Sequence, residues 1–101
     1  MDNEQIMWII AEAGECKSLA MEAIGRARER DFDGAEELMD EGGQALSRAH
    51  SQQTDLIRKE MSGEVRTAVT LLMVHAQDHL MSAMTARDFA FEIIELYKRL
   101  G

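Results

Sequence analysis

A chain of 101 residues, 46% of them hydrophobic, has room for one core and reads as a single domain over residues 1–101. Its net charge of −8 and pI of about 4.8 argue against binding to nucleic acid or insertion at an anionic membrane, because phosphate contacts need Lys and Arg in patches. The single cysteine, Cys16, excludes a disulfide framework and a cysteine zinc cluster.

No segment reaches the ~18 apolar residues of a membrane span. The opening MDNEQIMWII lacks the positive region of a signal peptide, so a soluble cytoplasmic protein is the expectation. Proline is absent and aromatic residues make up only 5%, while Ala, Glu, Leu, Met and Arg fill much of the sequence, so the expected class is all-α.

The first predicted helix spans about residues 3–29. Ile6, Ile9, Ala13, Cys16, Ala20, Ala23 and Ala27 recur at steps of three and four, a heptad-like seam. Its alanine half lets neighbouring helices approach closely, and Cys16 reads as a small packed hydrophobe. ERDFDG at 29–34 signals a turn, with Asp31 or Asp33 able to cap the next helix.

The second helix carries Ala35, Leu38, Gly42, Ala45, Ala49, Gln52 and Leu56 on its seam. Gly42 and Gly43 each cost about 1 kcal/mol against alanine, and close helix contact is the expected reason for them. MSGE at 61–64 punctuates again, which predicts a cap at Ser62 or Gly63 and Glu64 in the first turn of a third helix. That helix, of roughly 35 residues, shows Val69, Leu72, Ala76, His79, Ala83, Ala86, Ala90, Ile93, Tyr97 and Leu100 on one seam. Three long amphipathic helices with short connections give an antiparallel up-down-up bundle.

Between Val69 and Met84 the third helix is apolar nearly all round. A second stripe, Leu71, Val74, Asp78 and Met81, adds to the seam. Arg87, Asp88, Glu92, Glu95 and Lys98 restore a charged face further on, so the middle of this helix is the expected interface between subunits. Asp78 is the odd member of the stripe. On a symmetry axis its copies would converge and favour a bound cation or protonation; alternatively it reaches the rim or pairs with an Arg.

The run LLMVHAQDHLM at 71–81 concentrates the chemistry. His75, Asp78 and His79 sit at i, i+3 and i+4, neighbours on one helical surface. They could be ligands of a transition metal, His75 could be a nucleophile that accepts a phosphoryl group, or both histidines could be satisfied core residues. The residues alone leave the three open. His50, with Gln53 and Thr54 nearby, could approach the third helix or be exposed.

AVTLLMVHAQDHLMSAMTARDFAFEIIELYKRL, AGECKSLAMEAIGRARERDFDGAEELM and ALSRAHSQQTDLIRKEMSGE together resemble the enzyme IIA component of the lactose and N,N′-diacetylchitobiose class of the phosphoenolpyruvate-dependent sugar phosphotransferase system (PTS). The resemblance covers nearly the whole chain. It implies a homotrimer of three-helix subunits, with His75 accepting a phosphoryl group, at Nε2, from the phosphocarrier protein HPr. His75 would pass the group to a cysteine of the cognate IIB component, upstream of the membrane component IIC. It implies that Asp78 from each of three subunits meets one divalent cation, taken as Mg²⁺, and that Gln77 and His79 support the active histidine. The chain departs from the family pattern at Gly42-Gly43, where alanines are commoner, and at Arg30, where the turn often has glycine; neither touches the site. The competing expectation is a non-catalytic helical oligomer that binds metal through His75, Asp78 and His79, or a purely structural interaction module.

Overall fold

Helix ends fall where the sequence supplies caps, and these ends set the length of each element. The computed structural model describes residues 3–64 and 69–101, which hold three helices and no strand: α1 Asn3–Arg28, α2 Phe32–Ser62 and α3 Leu71–Arg99. Glu4 in the first turn and Arg26 and Arg28 in the last turn of α1 complement its dipole. The helix closes on a Schellman motif. Arg30 adopts φ 70°, its N–H donates to the Ala27 carbonyl at 3.0 Å, and the Asp31 N–H donates to the Arg26 carbonyl at 2.9 Å.

A left-handed Arg is strained, which explains why glycine suits this turn. Here the side chain finds compensation: Nη1 donates to the Tyr97 carbonyl at 3.0 Å, and the guanidinium lies 4.9 Å from the Phe32 ring centroid. Of the two candidate caps, Asp31 is the one used. Its carboxylate accepts from the Gly34 N–H at 3.0 Å, and Asp33 lies in the first turn.

The predicted start of the third helix is corrected. Gly63 is the C-cap of α2 rather than an N-cap: it has φ 82° and donates to the Glu60 carbonyl, and the Glu64 N–H donates to the Lys59 carbonyl, both at 3.2 Å. This second Schellman motif needs the left-handed conformation that glycine adopts freely. The α3 helix begins instead at Leu71, where Thr70 Oγ1 accepts from the Met73 N–H at 3.2 Å. It has 29 residues, and Val69 precedes it. The helical turns expected over 65–68 lie outside the described residues.

The core is sorted by level. Ile6 and Ile9 at the start of α1 pack with Ala49 and Leu56 late in α2 and with Ala76 and Leu80 early in α3. Ala20, Ala23 and Ala27 pack with Ala35 and Met39 early in α2 and with Ala90 and Ile94 late in α3. The chain therefore runs up, down and up, as expected. Burying Ile9 or Leu80 contributes about 1.5–3 kcal/mol each.

The α1 seam is buried as predicted. On α3 the buried positions are Ala76, Leu80, Ala83, Ala90 and Ile94, so Leu80 and Ile94 replace His79 and Ile93. A heptad-like count drifts against the 3.6-residue period of a straight helix, and the error accumulates along a long element. On α2, Met39 takes the core place given to Leu38. Helix α1 packs along both partners, whereas α2 and α3 meet far less, in a rod of 54 × 22 × 17 Å.

The adjacent glycines of α2, Gly42 and Gly43, act differently. A Cβ on Gly42 would make ordinary contact, 3.5 Å, with the Cys16 carbonyl, so close helix approach accounts for it. A Cβ on Gly43 would lie 2.7 Å from Arg87 Nη2. Gly43 is a slot through which the Arg87 guanidinium reaches the Met39 carbonyl, with Nε at 3.3 Å and Nη2 at 3.1 Å.

Candidate functional site

Helix α3 carries the candidate residues on different sides. His75 is exposed and His79 half-buried, and their rings meet edge to face, with centroids 4.5 Å apart and planes at 86°. One turn beyond His79, Lys17 of α1 donates to Ser82 Oγ at 3.2 Å, and the Ser82 hydroxyl donates to the His79 carbonyl at 3.2 Å. Burial holds the His79 imidazole below its ordinary pKa; the Lys17 ammonium and His75 push the same way, and Asp78 opposes them. His79 Nδ1 is buried and has no hydrogen-bond partner among the described residues.

Asp78 is exposed and shares an open groove of 560 Å³ with Leu71, Leu72, Val74 and His75. His75 and Asp78 thus line the same groove rather than two separate faces. Among the described residues, the five that line it all belong to α3. Gln77 lies elsewhere: two positions beyond His75 is about 200° round the helix. Its Oε1 accepts from Gln53 Nε2 of α2, and its own Nε2 faces Met73 Sδ at 3.9 Å. Within one chain Gln77 and His75 are therefore not brought together. His75, Asp78 and His79 form no three-ligand metal site within one chain, and no other His, Cys, Asp and Glu group does so among the described residues.

Sequence reasoning placed the subunit interface in the middle of α3, but the exposed apolar stripe does not stop there. Leu71, Val74, Met81, Phe89, Ile93, Leu96 and Leu100 form one line with Asp78 and Thr85, from Leu71 at 85% exposure to Leu100 at 72%. Eight steps from position 71 to position 100 average about 3.6 residues, the period of a straight helix. Arg87, Asp88, Glu92, Glu95 and Lys98 lie beside this line and do not interrupt it. The contacts Lys17–Ser82 and Gln53–Gln77 were not anticipated, since each joins helices far apart in sequence. Gln53 had been noted only as a polar neighbour of His50, which is itself exposed.

Cys16 is fully buried with Sγ 3.9 Å from the Ala83 carbonyl, and burial pushes its thiol pKa up while Arg87 opposes, as suits a packed and unreactive side chain. No helix among the described residues is long and apolar enough to cross a membrane.

The family model for the "PTS system, Lactose/Cellobiose specific IIA subunit" matches residues 4–98. The chain belongs to this family. It is a IIA component of the lactose/cellobiose/chitobiose class, a phosphotransferase component of the sugar transport system. This IIA chain is 51% identical over 98 residues to the lichenan-specific phosphotransferase enzyme IIA component of Bacillus subtilis (strain 168), covering 96% of this chain and 88% of that one. Its fold is similar to the crystal structure of the PTS cellobiose-specific enzyme IIA from Bacillus anthracis, with TM-score 0.93, 42% identity, and coverage of 99% of this chain and 92% of that one. It is also similar to the IIA(chitobiose) of the IIA(chitobiose)–HPr complex of the Escherichia coli phosphotransferase system, with TM-score 0.82, 38% identity, and coverage of 99% and 97%.

Proposed function

We propose that His75 is the phosphoryl-carrying residue of this IIA component. The observation that carries the reading is the exposure of the His75 imidazole on an apolar groove, with the His79 ring packed edge to face against it. The donor is HPr, with which the similar chitobiose IIA forms a complex. An imidazole nitrogen of His75, Nε2 by family resemblance, attacks phosphorus with its lone pair while the phosphorus–nitrogen bond to the donor histidine breaks. The thiolate of a IIB cysteine then attacks the same phosphorus, and His75 leaves as neutral imidazole once its nitrogen has lost the phosphoryl group. The acceptor sugar is a disaccharide of the lactose, cellobiose or chitobiose class, phosphorylated downstream with the membrane component IIC.

Bracing matters because transfer needs the imidazole nitrogen in line with phosphorus at both steps. The edge-to-face contact with His79 restricts rotation of the His75 ring. The apolar residues Leu71, Leu72 and Val74 limit access of water, which slows hydrolysis of the phosphoryl group. Gln77 supports the site only from a neighbouring subunit or after a change of partner, because in its own chain it faces α2.

In the homotrimer a second and third copy pack along the exposed α3 stripe. The donor set for a cation then fits: each chain presents one hard oxygen ligand, Asp78, on that stripe, and three copies give an all-carboxylate site suited to Mg²⁺. A divalent ion bound there would offset the mutual repulsion of three carboxylates.

The test is incubation with phosphoenolpyruvate, enzyme I and HPr. The expected product is an acid-labile, base-stable label that His75→Ala abolishes and His79→Ala leaves in place. No label, where a known IIA is labelled, sinks the reading and leaves the non-catalytic oligomer.

A further inference from the structure

Lys17 is a cation held beside the two histidines by a neutral group. Its Nζ donates to Ser82 Oγ at 3.2 Å, across α1 and α3, and the Ser82 hydroxyl donates in turn to the His79 carbonyl at 3.2 Å. Of the three lysines, Lys59 pairs with Asp55 and Lys98 with Glu36 and Glu95, while Lys17 pairs with no carboxylate among the described residues. The chain has 19 acidic side chains against 11 basic ones, so a half-buried lysine tied to a serine needs a reason.

Stability is not that reason. Ordering a long side chain costs about as much rotamer entropy as one hydrogen bond to an exposed hydroxyl returns. What the tie fixes is the place of a charge. Burial first, and the Lys17 ammonium after it, hold the His79 imidazole below its ordinary pKa, so the charge is close enough to be felt there. The His79 ring in turn packs against His75, with centroids 4.5 Å apart.

The direction of the helices carries the charge further. His75 stands two turns before Ser82 on α3, about 10 Å along the axis. Helices α1 and α3 run the same way, and a helical side chain leans toward the N-terminus of its own helix, so the Lys17 stem leans toward the level of His75. A phosphoryl group on His75 would add about two negative charges there, beside the Asp78 carboxylate. At a separation near the Debye length of ~8–10 Å such a charge is only partly screened. The apolar groove residues Leu71, Leu72 and Val74 weaken the screening on the His75 side.

We infer that Lys17 is a positioning residue of the phosphoryl site, a counter-charge held by Ser82 that favours the phosphorylated state of His75 without touching the reacting atoms. The inference rests on the assignment of the phosphoryl group to His75. Lys17 makes and breaks no bond and moves no proton in the transfer. A strap that merely joined α1 to α3 would need the tie and not the charge.

The experiment measures the equilibrium constant for transfer between phospho-HPr and the intact protein, read by ³¹P NMR. An equilibrium constant is unaffected by how fast the partners dock. Lys17→Met keeps the apolar stem and removes the charge; it should shift the equilibrium toward phospho-HPr by about 3- to 10-fold. Lys17→Arg should stay within about 2-fold of the unaltered protein, because the charge is kept. Ser82→Ala, which cuts the tie and leaves the charge, should shift it less than Lys17→Met. High salt should shrink the difference between Lys17→Met and the unaltered protein. If Lys17→Met loses its helical circular dichroism, Lys17→Gln takes its place with the same shift expected. An unchanged constant on removal of the charge overturns the inference while His75 keeps its role. Equal shifts in Lys17→Met and Ser82→Ala, or no recovery with Lys17→Arg, overturn it in favour of a strap. A label that survives His75→Ala overturns the His75 assignment and this inference with it.

Discussion

Replacing Gly43 by alanine should change sign depending on residue 87. A glycine in the middle of a helix costs about 1 kcal/mol against alanine, so the substitution alone should stabilise α2. In this fold the new Cβ would sit 2.7 Å from Arg87 Nη2 and 3.1 Å from Cζ, so the guanidinium must leave. With it go the two bonds to the Met39 carbonyl, at 3.3 and 3.1 Å. Hydrogen bonds from a charged donor are worth about 1.5–3 kcal/mol, and the site is only partly buried, so the loss should exceed the propensity gain by about 1 kcal/mol. Gly43→Ala should therefore lower stability by about that amount, a fall in Tm of roughly 4–8 °C for a domain of this size. In an Arg87→Ala background the same change should raise stability by about 1 kcal/mol. Thermal unfolding of the four proteins of the cycle, at one fixed protein concentration because assembly shifts Tm, supplies the coupling energy. Equal stabilisation in both backgrounds would refute the slot.

Three further outcomes are expected. His79 should titrate below the usual imidazole value of ~6.5, since burial, Lys17 and His75 all depress it. Its folded-state pKa is the lower one, so neutral His79 contributes stability that is present above the unfolded pKa and lost as pH falls through the folded value. Histidine resonances followed by NMR should show this, and Lys17→Met should move His79 upward. Phe89→Asp, which puts a charge on the exposed α3 stripe well away from His75, should give a monomer in sedimentation velocity at micromolar concentration; an unchanged trimer would show that the interface ends before it. Asp78→Leu should remove divalent-cation binding and leave the trimer as stable or more so, because an apolar residue then fills a buried stripe; dissociation of the variant would count against the axis placement.

Much of this arrangement was legible in the residues. The α1 seam was readable because a 3–4 alternation sustained from Ile6 to Ala27 has no strand equivalent. The α2–α3 connection misled because Gly63 serves either helix end: glycine is favoured at a C-cap and tolerated at an N-cap, and only the dihedral angle of 82° separates them. The His75–His79 contact followed from i, i+4 spacing. The departure of Gln77 toward Gln53 did not, since it depends on where α2 lies around α3. The exposed stripe was truncated by reading Asp88 and Glu92 as a polar face, when Phe89 and Ile93 beside them continue the apolar line at the straight-helix period.

The unequal contacts among the helices bear on the order in which they separate. The α1–α2 hairpin is local, closed by the Arg30–Asp31 turn, and holds the larger share of shared surface. Helix α3 joins across a longer connection and rests more on α1 than on α2. The cheapest opening of a subunit is therefore the release of α3, and above all of its first turns, where Leu71 and Val74 are exposed. Amide exchange should be slowest in α1 and fastest where Thr70 caps α3. His75 rides on the element that detaches first, so whatever packs against the α3 stripe also holds the His75 groove in shape.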